Sequence, residues 1–219
     1  MFKTKSKDHS RIYLKVLLRK SFLELGAVEK NVALDLFSGK GEIAKGIYLD
    51  FKEVHLVEKN PKQFEILKGR FSRLPQARLW KMENLKFLKN ELPNFSELSL
   101  VDFDAYGSPN QQILFFFASW KLKTPLLVFA TDGGILAGIR GRSFSPDRYL
   151  AGLSPNCASE PGQESATGYD RVLNRNYERM IRCFWDELAK RHCFKIELFK
   201  IIWKKGGQVA YYGLLIKPR

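Results

Sequence analysis

The sequence predicts an α/β protein whose doubly wound sheet is mainly parallel and carries helices on both faces. Short apolar runs alternate with helical patterns from residue 31 onward, which is typical of parallel strands joined by helices. A glycine-rich turn directly follows the first apolar run, and the last two β-rich runs flank Lys204-Lys205-Gly206-Gly207, a hairpin signal. Because 219 residues lie within the range of one α/β domain, we expect a single domain over residues 1–219.

An amphipathic helix is predicted from Ser10 to Leu25 within the basic N-terminal region, residues 1–30, with Gly26 closing it. Two stripes follow the helical spacing, an apolar one and a basic one: Ile12, Val16 and Leu23, and Arg11, Lys15 and Arg19. We interpret the basic stripe either as an ordinary solvated face or as part of a polyanion-binding surface.

The first strand, Asn31 to Phe37, runs into the turn Ser38 to Glu42 and a helix through about Leu49. Glycines in such a turn permit positive φ and let the backbone approach a ligand. Gly39, Gly41 and Ala44 also satisfy a relaxed dinucleotide fingerprint, so a nicotinamide or flavin enzyme is an alternative. A pyrophosphate needs the first helical turn as its anion site, yet Glu42 places a carboxylate there. S-adenosylmethionine carries a positive sulfonium and no phosphate, so we prefer it as the cofactor, with Asp35 in its site.

Carboxylates follow the next two predicted strands. Lys52 to Val57 ends at Glu58, which can accept hydrogen bonds from the ribose hydroxyls of an adenosyl group. A helix then begins at Asn60-Pro61 and continues to about Phe71. Ala77 to Met82 ends at Glu83, which can accept from the adenine amino group or be a surface acid before a helix. The residues assigned to the cofactor site are Asp35, Phe37, Gly39, Gly41, Glu58, Lys59, Glu83, Asn84 and Asp102.

The stretch Val101 to Pro109 has the character of a buried strand that ends at a chemical site. Asp102 and Asp104 point to the same side of the strand, and burying their charges requires partners. Ligands bind beyond the carboxyl ends of parallel strands where the strand order reverses, so we expect Asp104 beside the cofactor. An exocyclic amine is a poor nucleophile that a carboxylate could orient, and Tyr106 could stack on the base with Gly107 leaving room. A helix cap would explain Ser108 and Pro109 alone.

The net charge of +14 is concentrated at the two ends of the chain. Residues 1–30 carry +5 and residues 190–219 carry +7, which leaves +2 for the 159 residues between them. This distribution favours a nucleic-acid-binding surface beside a separate small-molecule site. Lysine-rich ends that only aid solubility are the alternative.

Several motifs of the chain together resemble the successive signatures of the tRNA guanine-26 N2-dimethyltransferase family. They are Asp35-Leu-Phe-Ser-Gly39-Lys-Gly41, Glu58, Asp102-Phe-Asp104-Ala-Tyr106-Gly107-Ser108-Pro109 and Ala130-Thr131-Asp132. The resemblance implies a class I methyltransferase core, a Rossmann-like seven-stranded sheet closed by a C-terminal antiparallel hairpin. It further implies methylation of a tRNA guanine amine, with Asp104 holding that amine and Asp35, Glu58 and Glu83 lining the cofactor site. Ala105 stands where the family usually has proline, and the chain ends at the core, without the family's additional C-terminal domain.

From these observations we assign the remaining functional residues. The catalytic residues are Asp104, Tyr106 and Asp102, and the substrate-binding residues are Gly107, Ser108, Thr131, Asp132, Arg140 and Arg142. The two arginines belong to a long Gly-, Ser- and Pro-rich loop, residues 138–168, which we interpret as a substrate contact or as a disordered insertion. A DNA or ribosomal RNA amino-methyltransferase and a catalytically silent RNA-binding module remain alternatives.

The rest of the chain supplies core helices and strands. The predicted segments are a helix Ile113 to Trp120, a strand Leu126 to Ala130, a helix Val172 to Leu188, and strands Lys195 to Trp203 and Gln208 to Ile216. Three cysteines without Cys-x-x-Cys spacing favour a reducing compartment, so we expect a cytoplasmic protein. No apolar stretch approaches the ~18 residues of a membrane span, and no His/Cys/Asp cluster suggests a metal site.

Overall fold

The computed structural model describes residues 12–134, 169–204 and 209–219, which form a seven-stranded mixed sheet with helices on both faces. The strand order is β3-β2-β1-β4-β5-β7-β6. The strands are β1 (Val32–Asp35), β2 (Glu53–Val57), β3 (Ala77–Trp80), β4 (Leu100–Asp104), β5 (Leu126–Asp132), β6 (Phe194–Trp203) and β7 (Ala210–Pro218). The first five are parallel, whereas β7 pairs antiparallel with both β5 and β6. The doubly wound sheet and its antiparallel C-terminal strands are therefore confirmed.

Within the described residues, three α-helices cover each face of the sheet. The helices are α1 (Ile12–Leu23), α2 (Glu42–Ile47), α3 (Pro61–Phe71), α4 (Asn84–Asn90), α5 (Asn110–Ser119) and α6 (Tyr169–Arg191). Apolar side chains of α1, α2 and α3 pack on one face, and those of α4, α5 and α6 pack on the other. Alternation along β1 illustrates the division, since Ala33 faces the first group of helices and Leu34 the second.

Local signals predicted the start of α3 and the end of α1 correctly. Asn60 caps α3, its side chain accepting from the backbone N–H groups of Lys62 and Gln63, and Pro61 occupies the first helical position. Gly26 follows α1 with a φ of 61°, the left-handed conformation expected of a closing glycine. The predicted loop at residues 138–168 and the hairpin turn lie outside the described residues.

The orientation of α1 differs from the sequence prediction. The buried residues of this helix are Lys15, Leu18, Arg19 and Phe22, whereas the predicted apolar stripe of Ile12, Val16 and Leu23 is only half-buried. Because positions 15, 18, 19 and 22 lie on one helical face, both basic residues point into the protein. Their interpretation as a solvent-facing basic stripe is wrong.

The buried face of α1 rests on the antiparallel part of the sheet. Phe22 packs edge-on against Phe129 of β5, with ring centroids 5.4 Å apart, directly above Gly213 of β7. A Cβ atom at Gly213 would lie 2.8 Å from the Phe129 ring and 2.9 Å from Phe22, so a side chain there would push the helix away. The close approach of α1 to the sheet thus depends on this glycine.

Within the described ranges, no helix is both long enough and apolar enough to cross a membrane.

Candidate active site

The carboxyl ends of β1 and β4 bring three carboxylates to one edge of the sheet. In the parallel register Asp35 of β1 pairs with Asp102 of β4, and Asp104 pairs with Thr131 of β5. Asp35 is 2% exposed and Asp102 is fully buried, while the side chain of Asp104 keeps 14% of its surface exposed. Of the three carboxylates, Asp104 is therefore the most accessible from solvent.

Arg19 of α1 neutralises Asp102. Its Nε and Nη2 atoms donate to the two carboxylate oxygens at 2.8 Å and 2.7 Å, a bidentate pair that is buried on both sides. The Tyr48 hydroxyl, from the 3₁₀ turn after α2, donates to the same carboxylate. Both oxygens of Asp102 are thus engaged by protein groups, and the pair with Arg19 anchors α1. The catalytic and cofactor-binding roles assigned to Asp102 from the sequence stay predictions.

The buried charges perturb one another. Burial is the largest single effect and lowers the pKa of the Arg19 guanidinium, but the charge of Asp102, the hydrogen bond to it and the neighbouring Tyr48 and Asp104 together raise that pKa well above its ordinary value. Burial and the Asp102 charge also raise the pKa of the Tyr48 hydroxyl, which therefore remains a donor. Burial, and then the neighbouring Asp102, raise the pKa of Asp35 well above its ordinary value. A cation arriving beside Asp35 would favour its ionised form.

Lys15, one helical turn before Arg19, forms an ion pair with Asp104. Its Nζ atom lies 2.5 Å from Oδ1 and 2.8 Å from Oδ2 of the carboxylate, and its side chain is 8% exposed. The ammonium also lies 5.2 Å from the centroid of the Tyr211 ring on β7. Sequence reasoning missed Lys15, Arg19 and Tyr48 as site residues. Lys15 and Arg19 could have been found from the sequence by one signal. The predicted strand Val101 to Asp104 carries two acids that need cationic partners, and two basic residues four positions apart on one helix could supply them.

The loop after β4 carries the most exposed aromatic ring among the described residues. Tyr106 is 91% exposed, two residues beyond Asp104. Gly107 has a φ of 98°, and a Cβ built there would meet nothing within 4 Å, so the space beside the loop is open. Its carbonyl accepts from the N–H of Gly133, which fixes the loop to the end of β5. The loop is thus fixed in position while its tyrosine projects into solvent.

Thr131 and Asp132 point to opposite faces of β5. Thr131 shares the face of Asp104, and within the described part of the chain its buried hydroxyl has no hydrogen-bond partner. Asp132 is fully buried and accepts from the Tyr177 hydroxyl at 2.5 Å and from the N–H of Gly134 at 2.9 Å. The structure therefore places Thr131 beside Asp104, whereas Asp132 binds α6. The N–H of Asn110 lies 3.4 Å from the hydroxyl of Ser108, at the start of α5.

Both glycines of the first turn have left-handed backbone conformations, and packing adds a second requirement at Gly41. Gly41 has a φ of 77°, and a Cβ there would lie 2.4 Å from the Phe71 ring of α3. Gly39 has a φ of 55°, and its Cβ would lie 3.0 Å from the side chain of Gln63. The expected close approach to a ligand is therefore not the only reason for these glycines. Glu42 occupies the first turn of α2 as expected, with its charge paired to Arg70 at 2.6 Å.

The remaining predicted cofactor residues follow β1, β2 and β3 at the same edge. Phe37 is half-buried and donates its N–H to Asp35, and the Glu58 carboxylate accepts from the N–H of Asn60 at 2.5 Å. Glu83 is exposed and caps α4 by accepting from the N–H of Lys86, which agrees with the alternative of an acid before a helix. The last two cofactor residues differ in burial: Lys59 is exposed, and the buried Asn84 accepts from Gln112. Arg140 and Arg142 lie outside the described residues.

The opposite edge of the sheet contains a cavity of about 370 Å³ at the amino ends of β1, β2 and β3. Its acids, Glu53 and Glu97, are half-buried, and Glu53 lies 3.5 Å from Arg78. The concentration of buried carboxylates at the carboxyl edge marks that edge as the candidate active site. Within the described ranges, no group of three or more His, Cys, Asp and Glu side chains could hold a metal ion.

Comparison with solved structures defines the class of fold. Trm1 from Pyrococcus horikoshii in complex with S-adenosyl-L-methionine aligns over 94% of this chain and 54% of its own, with a TM-score of 0.59 and 13% identity. TYW2 from M. jannaschii in complex with AdoMet aligns over 94% of this chain and 76% of its own, with a TM-score of 0.54 and 14% identity. The chain therefore has the Rossmann-like fold of these proteins. No protein-family model matches the sequence, and no curated protein matches it.

Replacing Arg19 by Met should destabilise the protein by about 3–5 kcal/mol, because it leaves the Asp102 carboxylate buried without its cation. Replacing Arg70 by Met, which breaks the exposed pair with Glu42, should cost only about 0–1 kcal/mol. Urea denaturation measures both changes. The double variant Arg19→Met/Asp102→Asn should regain much of the free energy of unfolding that Arg19→Met loses. Equal decreases in the free energy of unfolding for Arg19→Met and Arg70→Met would contradict the anchoring role of Arg19.

Asp35 should make folding stability decrease as the pH rises. The unfolded carboxyl titrates near pH ~4, whereas the folded protein retains this proton to a higher pH. The Asp35 contribution is therefore fully present below about pH 4 and is lost as the pH rises through the raised folded-state pKa. Asp35→Asn should be more stable than wild type at about pH 8, with a difference that shrinks toward about pH 4. Urea denaturation across this range tests the expectation, and a pH-independent difference would contradict it.

Proposed function

We propose that this protein is an S-adenosylmethionine-dependent N-methyltransferase that acts on an exocyclic amine of a nucleic-acid base, guanine N2 in tRNA. The observation that carries the proposal is Asp104, a partly accessible carboxylate at the carboxyl end of β4, two residues before an exposed tyrosine. The likeness to Trm1 and TYW2 supports the methyl-transfer class, and the sequence resemblance described above supports guanine N2 in tRNA.

The residues at the carboxyl edge suit a cationic adenosyl cofactor. Asp35 is a buried carboxyl whose ionised form a positive ligand would stabilise. Glu58, at the end of β2, has the acceptor oxygens that ribose hydroxyls require. S-adenosylmethionine, when bound, supplies a methyl group on a positively charged sulfur. We therefore propose Asp35 and Glu58 as the groups that hold it.

Asp104 would orient the acceptor amine. The amine N–H would donate to a carboxylate oxygen, which directs the nitrogen lone pair toward the methyl carbon. As the N–C bond forms and the S–C bond breaks, the nitrogen becomes positive and releases a proton to Asp104 or to water. Tyr106 could stack on the face of the base, and the open space at Gly107 would admit the ring.

A basic surface beside the site supports nucleic acid as the partner. Helix α1, from the N-terminal region, contacts both β6 and β7, from the C-terminal region. Lys200 of β6 places its ammonium 5.5 Å from the Phe22 ring of α1, and Lys20 of α1 is exposed. Exposed cations such as these could bind phosphates of a nucleic acid.

A catalytically silent RNA-binding module is the second candidate. It is favoured by one observation, the engagement of both Asp104 oxygens by Lys15. Cofactor binding without methyl transfer to any nucleic acid would favour that candidate.

Asp104→Asn should reduce methyl transfer to tRNA by about 10²-fold or more, because the amide accepts the amine proton poorly. S-adenosylmethionine affinity, measured by calorimetry, should stay near that of wild type. Asp50→Asn makes the same chemical change at an exposed residue and should leave both quantities unaltered. Wild-type turnover in Asp104→Asn would eliminate the proposed role of Asp104.

A further inference from the structure

The ion pair between Lys15 and Asp104 has no part in the chemistry described above. Both carboxylate oxygens contact the Lys15 ammonium, at 2.5 Å and 2.8 Å, in a place where the lysine side chain is 8% exposed. Most lysine ammonium groups stay in solvent, since burial is costly without a partner. A role for this cation should therefore be sought in what it does to the acceptor site.

The surrounding structure holds Lys15 in place. One turn further along α1, Arg19 is fixed by the buried pair with Asp102, and its Nη1 atom donates to the Lys15 carbonyl at 3.0 Å. The Tyr211 ring flanks the ammonium on another side. The helix therefore presents the Lys15 ammonium to Asp104 as a resident cation of the site.

The consequence is a site that is neutral as a whole but still rich in acceptors. An ionised carboxylate has about four lone-pair positions, and Lys15 uses one on each oxygen. An uncharged amine on an aromatic ring could still donate to the remaining positions. An alkylammonium would gain no net attraction from the neutralised pair and would be repelled by the lysine.

We propose that Lys15 is a specificity-determining residue, which reserves Asp104 for uncharged planar amines and excludes cationic alkylamines. The inference rests on the proposed function, in that Asp104 is taken as the group that receives the acceptor amine. It narrows the substrate class to amines that are neutral at physiological pH, such as those on nucleic-acid bases. Lysine side chains of proteins and polyamines are excluded as acceptors.

The test measures binding of n-butylammonium chloride to the protein without cofactor or RNA, by NMR titration at constant ionic strength. Lys15→Met removes the cation at similar length and should bind the probe about tenfold more tightly than wild type, or better. Lys15→Arg keeps the charge and should behave as wild type. Lys45→Met makes the same change at an exposed position of α2 and should also behave as wild type.

Two further variants make the result decisive. The gain in butylammonium affinity caused by Lys15→Met should disappear in Lys15→Met/Asp104→Asn, because the protein would then lack the carboxylate that binds the ammonium group. Lys15→Gln, which keeps an N–H donor toward Asp104, should show the same gain and carries the test if Lys15→Met does not fold. Equal probe affinity in wild type and both neutral variants, or a gain that survives Asp104→Asn, would overturn the proposal.

The outcome is separable from that of the proposed function. If the protein methylates tRNA but wild type and Lys15→Met bind butylammonium equally well, only the proposed role of Lys15 is refuted. If Lys15→Met binds butylammonium more tightly than wild type but the protein methylates no nucleic acid, the proposed function is refuted, while Lys15 still controls the charge of the site.

Discussion

The buried pair between Arg19 and Asp102 is the interaction on which the organisation of this edge depends. Parallel pairing of β1 and β4 places two aspartates side by side in the protein interior. Such charges are tolerated only where a cation or a proton compensates them. Arg19 supplies the cation for Asp102, while the raised pKa of Asp35 favours its protonated, neutral form. The N-terminal helix is consequently held on the sheet by charge as well as by apolar packing.

That attachment determines what a ligand would encounter at Asp104. Because α1 is fixed at Arg19, Lys15 in the preceding turn lies against Asp104, the partly exposed carboxylate of the three. The edge therefore contains a carboxyl that a cation would ionise, Asp35, and a carboxylate already neutralised, Asp104. These two environments match the two ligands of the proposed reaction, a cationic methyl donor and an uncharged amine.

The parts of the fold that local chemistry determines could be predicted from the sequence. Asn60 and Pro61 begin α3 because a side-chain cap and a fixed φ act within one helical turn. Strand alternation likewise placed Asp102 and Asp104 on one side. The buried face of α1 could not be predicted in this way, because Arg19 is paired with a residue 83 positions away. Helical periodicity alone predicts that such an arginine is solvent-exposed. Its actual orientation follows only from the requirement that a buried acid be paired with a cation.

The proposed reaction at this edge of the sheet is the transfer of a methyl group to a base amine. The most direct measurement incubates the purified protein with methyl-labelled S-adenosylmethionine and total tRNA, ribosomal RNA or DNA in parallel, followed by digestion and mass spectrometry of the nucleosides. We expect label on the N2 amine of guanosine in tRNA. Label only in ribosomal RNA or DNA, label on a ring carbon or hydroxyl, or no labelled nucleoside in any sample would contradict it.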